Sequence, residues 1–270
     1  MMKRIGLIAG SGQFPIIFSK TAQAGGYDVY AVAHQKETDP DLATHVKVIR
    51  WVHLGQLKRI LRFFKDHDIS EAVMMGAINK TRMFTDVRPD TKALSLVFQM
   101  HHTHDDGLLR AFAGLLEKEG IRIQSATGLL PEMLARPGCW TRRKPNRGEM
   151  ADVELGWRLA KEIGRLDIGQ CIVVGGGSVL AVEAIDGTDA TIKRGAGLGN
   201  ANAVVVKVCK PNQDQRFDIP AIGTGTIQTM HAAGARVLAV EAGKAVVFDR
   251  TEMISLADEC GIAIMAMVSE

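Results

Sequence analysis

Short apolar runs alternate with stretches of helical spacing along almost the whole of this chain, and that alternation restricts it to α/β architecture. In the first half, Ile5 to Ala9, Tyr27 to Ala33 and Glu71 to Met75 have the length and composition of strands, and Ile121 to Gln124 suits a fourth. Helical spacing begins near Pro15, a residue suited to a first turn because it lacks the N–H left unpaired there. It returns at Leu57 to Lys65, Thr91 to Met100 and Leu108 to Lys118. Strands and helices in this order imply βαβ units, so residues 1–135 are expected to form a Rossmann-like domain with a parallel sheet.

From Arg136 to Gly148 the pattern fails. Arg136-Pro-Gly-Cys-Trp-Thr-Arg-Arg-Lys-Pro-Asn-Arg-Gly148 is rich in breakers and positive charge, and 136–148 is expected to be a linker. Beyond it the pattern restarts with a helix at Met150 to Ile163, strands at Gln170 to Val174 and Val179 to Ala184, and a helical stretch at Thr188 to Arg194. An apolar strand at Val204 to Val208, a helix at Thr226 to Ala233 and strands at Val237 to Val240 and Ala245 to Phe248 follow. A helix at Thr251 to Cys260 and a strand at Ile262 to Met267 close the chain. Residues 149–270 are therefore expected to be a second α/β domain, the catalytic one.

Composition narrows the function. The 270 residues suffice for two domains, and with 46% apolar but only 5% aromatic residues the cores must be aliphatic. A net charge of +3, with no long basic run, argues against a nucleic-acid partner. Cys139, Cys171, Cys209 and Cys260 form no C-x-x-C pair, which favours a reducing compartment over a disulfide framework. No signal peptide or spanning run is visible, so the expectation is a cytoplasmic protein.

Several motifs carry candidate chemistry. Gly10-Ser11-Gly12 follows the first strand, but Pro15 occupies the third-glycine position of a dinucleotide fingerprint. His34-Gln35 stands where an acidic residue is expected after the second strand. Nicotinamide binding is thus disfavoured, while the loop can still offer N–H groups to a phosphate or sugar oxygen. Asn79-Lys80 follows the third strand, at the sheet edge where ligands bind. Asp105 and Asp106 are candidate metal ligands that serve equally well as helix caps, and the neighbouring His101 and His104 are read as incidental. Glu183, inside an apolar strand before Thr188 and Asp189, must be paired or ligate a cation. Most informative is Lys207 to Thr226, where Lys210, Gln213, Asp214, Arg216 and Asp218 crowd between apolar segments. Cations there can neutralise phosphate, and carboxylates can hold a divalent ion or activate water. Oxygen ligands favour magnesium, with manganese as the alternative.

Taken together, Ile5-Gly-Leu-Ile-Ala-Gly-Ser-Gly-Gln-Phe-Pro15, Gly76 to Lys80, Asp105 to Arg110, Asp167 to Gln170, Val179 to Ala190, Lys210 to Pro220 and Ala239 to Lys244 resemble the LpxI-type UDP-2,3-diacylglucosamine pyrophosphatases. The resemblance runs in order along essentially the whole chain and departs in the glycine-rich stretch from Arg194 to Ala203. It implies a Mg²⁺-dependent hydrolase of lipid A biosynthesis that splits UDP-2,3-diacylglucosamine into UMP and 2,3-diacylglucosamine 1-phosphate. On that expectation Asp218 is the essential carboxylate, binding Mg²⁺ as a metal ligand or activating water, Lys210 and Arg216 act on phosphate, and Gln213 and Asp214 assist. Gly10, Ser11, Gly12, Asn79, Lys80 and Thr188 bind substrate, while Asp105, Asp106, Glu183 and Asp189 complete the candidate metal set. The lipid-linked substrate brings in contact with the cytoplasmic face of the inner membrane, with a homodimer left open. Its acyl chains are expected in a cleft between the domains, with 136–148 as the hinge. The competing reading is a non-catalytic sensor that binds a sugar nucleotide or phospholipid.

Overall fold

The computed structural model of the chain describes residues 2–78, 87–98, 105–129, 131–199, 202–211, 213–217 and 219–269. The chain divides into two compact units, Met1–Pro131 with Asp214–Asp218, and Glu132–Gln213 with Ile219–Glu270.

The first unit runs β1 (Lys3–Ala9), α1 (Phe14–Ala24), β2 (Tyr27–His34), a 3₁₀ turn (Pro40–His45), β3 (Val48–Val52), α2 (Leu57–Asp66) and β4 (Glu71–Met75). It continues with α3 (Thr91–Phe98), α4 (Asp105–Lys118), β5 (Arg122–Ile123) and α5 (Ala126–Leu129). Its five strands are parallel throughout, in the order β3-β2-β1-β4-β5. The chain winds outward from β1 to β3 and then crosses to the other side of β1, which makes the β1–β4 boundary the topological switch point of the sheet. This is the Rossmann-like arrangement expected from the alternation. β3 was not anticipated, because Val48-Ile-Arg-Trp-Val52 carries an exposed arginine mid-strand at the sheet's edge. Ile60, Phe64, Leu116 and Ile121 are closed from solvent in the core, each such burial being worth about 1.5–3 kcal/mol. Phe217 packs against that same core. The segment 214–218 is therefore a remote piece of chain that completes the first unit.

The second unit contains β6 (Gly138–Cys139), α6 (Arg147–Arg165), β7 (Cys171–Gly175), β8 (Ser178–Val182), α7 (Thr188–Leu198) and β9 (Ala203–Lys207). β10 (Ala221–Ile222), α8 (Thr224–Ala233), β11 (Ala235–Glu241), β12 (Val246–Val247), α9 (Arg250–Glu259) and β13 (Ala263–Met267) follow. Six strands lie in the order β6-β13-β11-β9-β7-β8, and β10 pairs with β12 in a small parallel sheet. β9, β11 and β13 are parallel, while β6, β7 and β8 run against their neighbours. Alternate residues enter opposite cores: Val205, Leu238 and Ile264 on one face, and Val204, Val206, Val237 and Ala263 on the other. Helices cover both faces, which is why these strands read as continuous apolar runs.

The stretch expected to be a linker, 136–148, is woven into this second unit. Gly138 and Cys139 pair with Ala266 and Met265, and Thr141 Oγ1 accepts the Ile264 N–H at 2.9 Å. Asn146 then caps α6: its Oδ1 accepts from the Glu149 N–H, and Glu149 Oε2 accepts from the Asn146 N–H. Arg143 pairs with buried Glu149. Breakers and basic residues thus serve an edge strand and a capping box.

Candidate functional site

In the first unit, the β1 and β4 loops lock together at the carboxyl edge of the sheet. Gly10 N–H donates to Met75 O and Ser11 N–H to Ala77 O, both at 2.7 Å, and the Ser11 hydroxyl donates to the same Ala77 oxygen at 2.8 Å. A Cβ on Gly10 would lie 2.5 Å from Ala77 O, and one on Gly76 2.5 Å from Ser11 O, so only glycine permits this approach. On the other side of β1, a cleft of about 970 Å³ opens between the Gly12–Gln13 turn and residues 35–40. Thr38 lines it; the Thr38 hydroxyl donates to Ala9 O at 2.6 Å, and His34 Nδ1 donates to the same oxygen at 3.0 Å. Burial lowers the His34 pKa and keeps the ring neutral.

The 214–218 segment is fastened to α4 by charge. Arg216 grips Asp214 with Nε and Nη2, at 3.0 and 2.8 Å, and reaches Glu117 with Nη1 at 3.0 Å. Arg110 lies 3.6 Å from the same Asp214 carboxylate. Donation by Arg216 holds Asp214 below the usual carboxylate range and, reciprocally, raises Arg216. Ser125 Oγ donates to Gln215 O at 3.0 Å, and the Arg216 guanidinium lies over the Phe217 ring.

In the second unit, the carboxyl ends of β9 and β11 carry a lysine-rich edge. Glu241, closed from solvent, accepts from Lys161 Nζ at 2.6 Å, from the Cys209 N–H at 2.8 Å, from Lys244 Nζ at 2.9 Å and from Ser269 Oγ. Burial pushes its carboxyl up, and these four donors outweigh it, holding the pKa at about 2. Lys210 Nζ meets Asp167 at 2.7 Å, and Lys207 Nζ donates to Ala221 O at 3.0 Å. Four ammonium groups, Lys161, Lys207, Lys210 and Lys244, thus stand against two carboxylates. Such an edge can neutralise a polyphosphate.

The family comparison follows this division. The LpxI N-terminal domain matches residues 4–133 and the LpxI C-terminal domain residues 136–265. This chain belongs to the LpxI family. It is 33% identical over 277 aligned residues to the UDP-2,3-diacylglucosamine pyrophosphatase LpxI of Caulobacter vibrioides, covering 98% of each chain. Among solved structures, an ADP complex of N5-carboxyaminoimidazole ribonucleotide synthetase (purK) is 14% identical, covering 76% of this chain and 46% of that one, with a TM-score of 0.29. The biotin carboxylase domain of Hydrogenobacter thermophilus 2-oxoglutarate carboxylase is 15% identical, covering 66% and 36%, with a TM-score of 0.28. This LpxI-family chain spans less than half the length of either structure, and likenesses so slight carry no argument.

The residues expected at the site fall into separate groups. Arg216 joins Asp214 beside α4, whose first residues are Asp105 and Asp106; the side chains of those two aspartates lie outside the described residues. Asp218, Asn79, Lys80, His101 and His104 also lie outside the described residues. Arg216 was expected to meet phosphate, and here its fork is taken by Asp214 and Glu117. Gln213 fastens a turn: its Oε1 accepts from the Lys210 N–H at 2.9 Å and the Cys209 thiol at 3.1 Å. Glu183, Thr188 and Asp189 meet at the start of α7. The two Glu183 oxygens accept from the Thr188 hydroxyl at 2.6 Å and the Gln170 N–H at 2.9 Å, and Asp189 lies in the first helical turn. That buried carboxylate is hydrogen-bonded by the residues at a helix start. Among the described residues no group of three or more His, Cys, Asp or Glu side chains is placed to hold a metal. Sequence reasoning assigned no role to Lys161, Glu241 or Lys244. The available signal was a glutamate ending the apolar run of β11, a position too costly for an unpaired charge.

Proposed function

We propose that this chain hydrolyses UDP-2,3-diacylglucosamine to UMP and 2,3-diacylglucosamine 1-phosphate. The observation that carries the reading is the full-length relationship to the Caulobacter vibrioides pyrophosphatase, with both LpxI domains in order. The lysine-rich edge of the second unit supports it, since splitting a diphosphate requires charge neutralisation on the non-bridging oxygens. In the reaction water forms a bond to one phosphorus, the bridging P–O bond breaks, and the water's proton passes to a base. Asp218 is assigned that base, following the resemblance of Arg216-Phe-Asp218-Ile-Pro220 to the family motif. Lys210 is assigned to a phosphate oxygen, and Arg216 to holding the segment that carries Asp218. The substrate's acyl chains give the protein reason to meet a membrane surface, although no described helix is long and apolar enough to cross one.

A magnesium ion belongs to this proposal on the strength of Asp218, Asp105 and Asp106 alone. The described carboxylates do not fit it: Asp214 is taken by arginine, Glu183 by its helix start, Glu241 by lysine. No step is therefore routed through the ion. The test is UMP release from UDP-2,3-diacylglucosamine, with and without EDTA. UMP that appears and is abolished by EDTA supports both statements. UMP that survives EDTA removes the ion, and tight binding without UMP removes the hydrolase.

A further inference from the structure

Two arginines of the second unit come together with no carboxylate to share. From Arg136, Trp140 and Arg250 we infer a binding site for a phosphate group, carried either by a membrane phospholipid or by the inorganic ion. The inference stands apart from the hydrolase reading, which gives none of these residues a role.

The site is built around Trp140. Its backbone N–H donates to Ile264 O at 2.9 Å and its indole Nε1 to Arg136 O at 2.8 Å, so both ends of the residue are fixed. The Arg250 guanidinium lies over that ring, with Cζ 4.4 Å from the centroid. Contact with a ring face does not satisfy N–H groups, because they point outward in the guanidinium plane. Nη1 of Arg250 is sealed from water and has no hydrogen-bond partner. A buried donor on a charged group is costly to leave unmade, and an anion is the acceptor that offsets the cost best.

The surroundings add positive charge. Burial pushes the Arg250 pKa down, and the neighbouring Arg136 charge pushes it the same way. Arg250 also opens α9, the helix end at which a cation is disfavoured. Among the described residues no carboxylate pairs with either guanidinium, whereas Arg142 and Arg143 of the same basic stretch are held by Asp258 and Glu149. Both arginines are anchored on β12. Leu134 bridges to Val246 and the Ala135 N–H donates to Ala245 O at 2.8 Å, while Arg250 closely follows the strand's end at Val247. Two guanidinium forks suit a tetrahedral phosphate, whose several oxygens can accept from both, better than a planar carboxylate that one fork saturates. Arg136 is exposed and Trp140 half-buried, so a headgroup or an ion can reach the pair from solvent.

The test uses the full chain and two probes: inorganic phosphate, followed by calorimetry, and phosphatidylcholine vesicles with and without phosphatidylglycerol, followed by co-sedimentation. The lysine-rich edge also attracts phosphate, so Lys210→Gln serves as the control. Arg136→Gln and Arg250→Gln are each expected to weaken binding about tenfold, the scale of a hydrogen bond to a charged group, with Lys210→Gln leaving that component unchanged. Arg136 is exposed, so its variant decides the matter should Arg250→Gln fail to fold. Co-sedimentation that requires phosphatidylglycerol and is lost in the arginine variants identifies the headgroup as the source. Phosphate binding without vesicle binding identifies the inorganic ion. Affinities for both probes unchanged in the arginine variants overturn the site, as does a loss in Lys210→Gln as large as theirs. Absence of saturable binding to either probe overturns it too, and leaves Arg250 Nη1 to water.

Discussion

Lys161 donates to Glu241 at 2.6 Å across 80 residues of sequence, joining α6 to the end of β11 at a point where the carboxylate is sealed from water. Removing Lys161 leaves the buried Glu241 charge to Lys244, Ser269 and the Cys209 N–H. Lys161→Met is expected to destabilise the second unit by about 3–5 kcal/mol, read as a lowered urea midpoint with unchanged slope. A variant as stable as the parent would show that Lys244 and Ser269 suffice.

The same carboxylate sets an acid limit. Its folded pKa of about 2 lies below the ordinary carboxylate value of 4.5. The unfolded chain therefore takes up the proton first as pH falls. Stabilisation from Glu241 is complete above about pH 4.5 and is lost progressively toward pH 2. Glu241→Gln, less stable at neutral pH, should show a flatter decline over that window. Parallel curves for the two proteins would refute the assignment.

Gly10→Ala and Gly76→Ala test the locked loops after β1 and β4. Each added Cβ meets backbone oxygen at 2.5 Å, and Gly76 also requires φ +87°. Neither neighbour can swing aside as a side chain would. A loss of about 2 kcal/mol or more is expected from either, by thermal unfolding. Gly12→Ala has open space at its Cβ and is strained only by its backbone, so it should cost less.

Asp218→Asn should leave the fold intact and lower UMP release at least about 100-fold, the scale of a lost general base. Arg216→Ala should slow the reaction as well, and it should also speed proteolysis of the 214–218 segment, because Asp214 and Glu117 lose their shared partner. An Asp218 variant with normal turnover would move the base elsewhere.

What the sequence made legible was whatever depends on periodicity. The parallel sheet of the first unit and the buried strands β7, β9, β11 and β13 followed from run length and apolar content. Two-residue strands such as β6 and β10 have no period to detect, and β3 hides behind Arg50. The site was less legible. Glu183 was conspicuous because its charge lies in an apolar strand, but its partner Thr188, on the next helix, could not be read from spacing. Lys161 and Glu241 meet only through the packing of α6 on the sheet.

The donated segment 214–218 also bears on how the protein is made. The first unit occupies residues up to Pro131, yet Phe217, half-buried, packs against its core. A ribosome that has translated only the N-terminal domain has not yet supplied that aromatic ring. That cover arrives only after some 80 further residues have emerged, and a chain truncated after Pro131 would leave the apolar surface under Phe217 open to water.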